Sequence, residues 1–393
     1  MNKKAFSLYI HIPFCISKCT YCDFFSIKCN KETLVPDTYI QALKNEISFR
    51  IKEYGSKLCK SVYIGGGTPS LLSIEQFSSL FDYLSGCLDF TKDYEFTVEM
   101  NPDDITEMLI DFFNNSIITR ISCGIQSLDQ KVLEYVKRRA GVKENLSALK
   151  ILKENWKKSL SLDLISALPF EKEDSFINNL KTIIDYNPDH ISLYSLTLEE
   201  ETPLGKDVFT SKLPYDFDKA DSMWLKGKTF LEQNGYAQYE ISNFCKKGKE
   251  CRHNLSYWNH EDYIGAGSGG TGTVYEADGS GKRWTNTTDI ERYILTWQKD
   301  SPSGSGYETV ENIDKKTSVF EYFMMGLRKT SGISAVHYKN IFNQALPSSI
   351  IKQFQEWNKK ALVSIKKTDG DIIYSLNSQG LLFLNQFLSS MEL

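Results

Sequence analysis

The chain has 393 residues, 41% hydrophobic and 13% aromatic, enough for a sizeable core in one large α/β domain with an appendage, or in two to three domains. Its 46 basic and 50 acidic residues leave a net charge of −4 with no basic block, which argues against a nucleic-acid partner. The opening "MNKKAFSLYIHIPFC" lacks a long apolar run or a small-residue cleavage site, and no stretch approaches a membrane span. The chain therefore reads as cytoplasmic, with only peripheral membrane association left open, and in that reducing setting clustered cysteines suggest metal binding or chemistry rather than disulfides.

In chain order, short apolar runs alternate with amphipathic segments. The expected strands are 7–12 (SLYIHI), 61–66 (SVYIGG), 95–100 (EFTVEM), 120–125 (RISCGI), 161–166 (SLDLIS) and 190–196 (HISLYSL). Between the first two, 36–54 opens on a proline and spaces its apolar residues at three and four, a helix. Six β-then-α units predict a parallel sheet with right-handed crossovers, curled into a partial (β/α)6 barrel over residues 1–205. Such sheets place their sites at the carboxyl ends of the strands. There lie a cysteine run after strand one, "GGGTP" after strand two, Glu99 on strand three and Gln126 after strand four.

The alternation then stops. Residues 206–298 read as an extension of the barrel, with a helix in 214–236 and a glycine- and aromatic-rich stretch over 251–284. Residues 299–314 (KDSPSGSGYETVENID) have linker composition. Residues 315–393 predict amphipathic helices followed by a hairpin turning at Asp369-Gly370, a small winged-helix-like α+β domain without a basic recognition helix.

The cysteine run is C-x3-C-x2-C: Cys15, Cys19 and Cys22. Zinc usually takes four protein ligands, and no fourth cysteine or histidine stands at short spacing. A C-x2-C redox pair leaves the third cysteine without a role. A 4Fe-4S cluster on three thiolates leaves one iron open for the amino and carboxylate groups of S-adenosylmethionine. All three readings stay open on spacing alone.

Those cysteines after a first strand, with Tyr21 before the last of them and "GGGTPS" after strand two, resemble the radical S-adenosylmethionine superfamily. "LYIHIPFC", "YIGGGTPS", "VEMNPDD", "RISCGIQSLD", "LDLISALP" and "HISLYSLTLEEETPL" narrow the likeness to the oxygen-independent coproporphyrinogen III oxidases and their HemW haem chaperone relatives. "YEISNFCKKGKECRHNLSYW" and "FEYFMMGLRKTSGIS" are similar to the HemW family in particular. The resemblance implies that Cys15, Cys19 and Cys22 hold the cluster. It places Tyr9, Tyr21, Gly66, Gly67, Thr68, Glu99, Gln126, Arg138 and Asp163 around S-adenosylmethionine. It assigns haem to His253, Asn254 and Tyr257 of an H-N-x-x-Y signature, with Trp258 beside them. From the residues alone, a hydrogen-bonded histidine in a turn, or zinc shared by Cys245, Cys251, His253 and His260, stays open there. The run "GAGSGGTG" departs from the family's Ala-His-Ser at Gly270 to Gly272. Cys29, Cys59, Cys87 and Cys123 read as incidental.

Two functions follow from the resemblance. One is a haem chaperone that passes haem to an apoprotein, with a reductant such as a flavodoxin or ferredoxin. The other is an oxidase that decarboxylates porphyrinogen propionates. Those oxidases carry a fourth cysteine two residues after the third, where this chain has Phe24, and they have a longer stretch before the first strand. Both features favour the chaperone.

Overall fold

The structure, a computed structural model, describes residues 4–29, 34–299, 301–302 and 305–392. Six parallel strands lie side by side in chain order: Phe6–Ile12, Leu58–Gly66, Asp89–Met100, Arg120–Gln126, Ser159–Ser166 and His190–Ser195, hereafter the first to sixth strands. They start and stop within a few residues of the expected runs, except that the third begins six residues earlier, at Asp89. The first crossover helix is Asp37–Tyr54, ended by Gly55 in the left-handed region at φ 76°. The second, Ile74–Cys87, opens on a capping box of Ser73 and Gln76 that satisfies two end amides at once.

Side chains alternate across each strand, so the two faces of the sheet can be read apart. On the first strand Phe6, Leu8, Ile10 and Ile12 enter the main core under the helices. Ser7, Tyr9 and His11 point the other way, with Ser61, Tyr63 and Gly65, with Glu95, Thr97 and Glu99, and with Ser122, Asp163 and Ser192 in register across the sheet. Parallel sheets covered on both faces are normally apolar on both. This one wraps a polar lumen.

Residues beyond 205 add more to the sheet than expected. Tyr263–Ala266 pairs in parallel with the first strand, and Thr271–Tyr275, Gly281–Asn286 and Glu308–Ile313 continue it as antiparallel strands. Segment 299–314 is therefore only partly linker: Glu308–Ile313 is an edge strand paired along its length with Gly281–Asn286, while 300, 303 and 304 lie outside the described residues. Linker composition misled here because an exposed edge strand carries polar residues too. On the other side Asn243–Cys245 pairs antiparallel with the sixth strand, and Ala237–Gln238 forms the edge beyond it.

From Lys315 the chain builds a second core around Tyr322, Phe323, Tyr338, Phe354 and Phe387. Its three-stranded sheet joins Ile333–Ser334, Asp371–Leu376 and Val363–Thr368, with Gly370 turning the expected hairpin at φ 84°. His260 hydrogen-bonds Ser318 at 2.9 Å, and Arg283 pairs with Glu321 at 2.7 Å, tying this module to the extended sheet. No helix among the described residues is long and apolar enough to cross a membrane.

Candidate functional site

The loop after the first strand carries the cysteines. Phe14–Cys15 pairs in parallel with Ile27–Lys28, and the Thr20 amide donates to the Val136 carbonyl at 3.0 Å, so the loop is pinned at both flanks and in its middle. All three thiols are free; Cys15 and Cys19 are buried and Cys22 is half-buried. The Thr68 hydroxyl lies 3.4 Å from Cys15 Sγ, and Arg138 Nη1 points at Cys19 Sγ from 3.9 Å. Arg138 Nη2 donates to Asn101 Oδ1 and to the Gly124 carbonyl, each at 2.7 Å, and Asn101 Nδ2 reaches Thr68 Oγ1 at 3.4 Å. Asn101 thus braces two groups that touch thiols. It stood inside the quoted "VEMNPDD" without being singled out.

Cys29 is not isolated as expected: its amide donates to the Cys15 carbonyl at 2.8 Å, beside the triplet. Cys59 and Cys123 are buried and Cys87 half-buried, as incidental residues would be.

The glycines of "GGGTP" are set by contact. Gly66 sits at φ 115°, where a Cβ would strike the His11 ring, and its amide donates to Glu99 Oε2 at 3.1 Å. Gly67 lies against the Phe14 carbonyl, 2.8 Å from where its Cβ would stand. Glu99 also accepts from the Tyr63 hydroxyl at 2.7 Å. Burial first, then the like charge of Asp163, lifts the Glu99 carboxyl to about 7. Burial raises Asp163 as well, opposed by the hydroxyls of Ser192, of Ser122 at 2.8 Å and of Ser161 at 3.2 Å and by the positive charge of Arg120. Among the described residues no cationic side chain bonds either carboxylate. Gln126 ends the fourth strand at φ 66°, next to a register shift, a conformation that is uncommon outside glycine and concentrated at functional sites. Tyr9 hydrogen-bonds His11 Nδ1 at 2.9 Å inside the lumen. Tyr21 packs on a small apolar cluster of Val132, Val136, Ile165 and Leu168. The residues named from the resemblance therefore gather at one mouth of the barrel or just inside it.

The H-N-x-x-Y residues lie toward the other end, where the His253 ring comes within 6.4 Å of the Tyr9 ring. Their helix, Arg252–Trp258, plugs the amino-terminal end of the barrel. Ser256 meets Ser7 at 2.8 Å, and His253 Nδ1 meets Ser61 Oγ at 3.0 Å. Glu95 takes the Cys251 thiol at 3.3 Å and the amides of Arg252 and His253 at 3.1 and 3.0 Å. Ser61 and Gly66 are five residues apart on one strand, about 16 Å. His253 Nε2 is bonded to the Tyr257 hydroxyl at 2.8 Å, and burial lowers the imidazole to about 3, so it stays neutral with both nitrogens partnered. Asn254 is half-buried on the same helix. Shared zinc at this end fails on geometry: Cys251 turns to Glu95, His253 to Ser61 and Tyr257, and His260 to Ser318.

"GAGSGGTG" forms the tight link between Tyr263–Ala266 and Thr271–Tyr275, where a Cβ on Gly265 or Gly272 would collide with the facing backbone. Its Gly267 amide bonds Glu46 at 2.8 Å and its Ser268 amide bonds the Tyr39 hydroxyl at 3.0 Å. Here the run serves sheet packing.

The cysteine mouth suits an iron-sulfur cluster. Among the described residues no three Cys, His, Asp or Glu groups converge to hold a metal ion, whereas a cubane takes each thiolate on a separate iron. Three unoxidised thiols with a guanidinium and a hydroxyl aimed at them match that second arrangement. Two buried carboxylates without a salt bridge match the ammonium and ribose hydroxyls of an adenosyl amino acid.

The family model for the radical SAM superfamily matches residues 9–183. Heme chaperone HemW of Escherichia coli strain K12 is 33% identical over 97% of this chain and 97% of its own length. Heme chaperone HemW of Bacillus subtilis strain 168 is 31% identical over 91% of this chain and 92% of its own. The solved coproporphyrinogen III oxidase HemN of Escherichia coli superposes with a TM-score of 0.80 over 98% of this chain and 90% of its own at 20% identity, a likeness of fold alone. With a third of its residues shared along nearly its whole length, the chain belongs to the HemW haem chaperone family.

Proposed function

We propose that this protein binds a 4Fe-4S cluster through Cys15, Cys19 and Cys22, binds S-adenosylmethionine at the same mouth, and carries haem for delivery to an apoprotein. The observation that carries the reading is the meeting of three free thiols with Arg138, Thr68 and two buried carboxylates that no side chain salt-bridges, at the carboxyl end of a parallel barrel. The cluster, when bound, supplies an electron to the cofactor on its open iron. The chain's own part is placement. Arg138 offsets thiolate charge, Glu99 and Asp163 receive the ammonium and hydroxyl groups, and Gly66 and Gly67 let backbone approach. Phe24 stands 70% exposed where the oxidases have a fourth cysteine, which favours carriage of haem over porphyrinogen oxidation.

Haem contact through His253 requires one rearrangement. Its Nε2 is held by Tyr257, so axial ligation breaks that hydrogen bond. The test uses anaerobically reconstituted protein. Wild type should hold about four irons and shift the haem Soret band, and the triple Cys15, Cys19 and Cys22→Ala variant should hold none. Tyr257→Phe frees Nε2 and should tighten haem binding, while His253→Gln should weaken it. A zinc-only protein would end the cluster reading, and haem binding indifferent to both variants would remove His253 from the haem site.

A further inference from the structure

Tyr63 stands in the second strand two residues after Ser61 and two before Gly65, so its side chain enters the lumen between the two ends just described. Toward the carboxyl end its hydroxyl donates to Glu99 Oε1 at 2.7 Å. Toward the other end its ring stacks on the His253 imidazole, centroids 5.1 Å apart and planes 30° apart. The Tyr9 ring stacks beside the Tyr63 ring at 6.3 Å, planes 26° apart. Gly65 holds the arrangement together: a Cβ there would come within 2.9 Å of both Glu99 Oε2 and Tyr63 Cε1, so only a residue without one lets carboxylate and ring close over the strand.

We propose that Tyr63 is a positioning residue joining the two ends of the barrel: its hydroxyl aims Glu99 at the cationic end of S-adenosylmethionine, and its ring holds the Arg252–Trp258 helix in place. This rests on Glu99 as a contact of that cofactor. Glu99 has one neutral donor on each oxygen, Tyr63 and the Gly66 amide, which fix its plane and leave lone pairs facing the lumen. Without the hydroxyl, Oε1 loses its partner in a desolvated place and the carboxyl turns or takes a proton. The ionisable groups facing Glu99 are Tyr9 on the first strand, Tyr63 on the second, Asp163 on the fifth, Tyr194 on the sixth and Tyr257 on the helix. None of them is a cation able to replace what Tyr63 supplies.

The pH profile separates this role from mere packing. Cofactor affinity should rise as pH climbs through about 7, where Glu99 ionises. Tyr63→Phe removes a bond to the ionised form, so the midpoint moves to higher pH and binding at neutral pH weakens about tenfold. Glu99→Gln should bind weakly with no midpoint. The measurement is equilibrium binding of S-adenosylmethionine to reconstituted, full-length protein on both sides of pH 7, with cluster absorbance reporting that each variant is folded. Hydrogen exchange adds a second readout: saturating cofactor should protect the amides of Arg252–Trp258 in wild type and not in Tyr63→Phe. If Tyr63→Phe keeps the wild-type affinity, midpoint and protection while Glu99→Gln loses binding, the role of Tyr63 is overturned and Glu99 stands. If Glu99→Gln binds like wild type, the cofactor reading of Glu99 falls and takes the proposal with it.

Discussion

Two buried glutamates show how this fold separates structure from site. Glu46, on the helix Asp37–Tyr54, accepts from Asn286 Nδ2 at 2.8 Å, the Gly267 amide at 2.8 Å, the Tyr293 hydroxyl at 2.6 Å and Arg50 Nε at 3.4 Å. Glu99, in the lumen, accepts from one hydroxyl and one amide. Burial raises both carboxyls, but only Glu46 has a guanidinium to oppose it. A carboxylate that the fold uses is saturated and neutralised by the chain itself. One kept for a ligand is held in place and left short of charge.

The sharpest way to break that contrast is to remove each group in turn. Glu46→Ala leaves Arg50 to Glu308 and Glu53 but strips the Gly267 amide, Asn286 Nδ2 and the Tyr293 hydroxyl of a buried acceptor, so unfolding stability should fall by about 3 kcal/mol. Glu99→Gln should change it by no more than about 1 kcal/mol while cofactor binding weakens. Urea titration of the two variants beside wild type decides it; equal losses of stability would mean that Glu99 too belongs to the framework.

Much of the carboxyl mouth was legible in the sequence because its residues sit at fixed offsets from strand ends. "LYIHIPFC" and "YIGGGTPS" each carry a strand and its loop together, and the six strands fell where apolar runs predicted them. The Glu46 network was not legible. Glu46 and Arg50 look like an ordinary surface pair four apart on a helix, and only the strands Tyr263–Ala266 and Gly281–Asn286, folding back beside the first strand, bury them. That return was hidden because glycine-rich segments read as loop. The histidine of the H-N-x-x-Y run was found as a motif, but its place at the amino-terminal end depends on Ser7, Ser61 and Glu95, small or polar residues that alternate into the lumen and carry no signal alone.

Between saturated Glu46 and unsaturated Glu99 lies His260. It is buried, stacks on Tyr275 at 3.8 Å, and bonds Ser318 through Nε2 while Nδ1 has no partner. Burial first, then its neighbours His337, Lys4 and Arg283, lowers it to about 3, and Arg283 pairs in turn with Glu321. The unfolded chain takes this proton near 6.5 and the folded one resists it, so stability present above 6.5 is lost as pH falls, by about 1.4 kcal/mol per unit until about 3. His260→Gln should flatten that part of the profile. Measuring the difference between the two proteins removes the opposite trend of the raised glutamates, and parallel profiles would show that the imidazole is already charged or solvated in the fold.

The smallest effect is expected at Phe24. Its ring is 70% exposed, so it is apolar surface that the fold leaves uncovered. Phe24→Ala should leave stability within about 0.5 kcal/mol and the iron content unchanged. Position 24 differs in this from Glu46, where removal breaks the frame, and from Glu99, where it breaks binding. If the alanine variant instead lost iron on exposure to air faster than wild type, Phe24 would be a shield over the open side of the cysteine loop, and an exposed aromatic would join the carboxylates among the groups held ready for a bound partner.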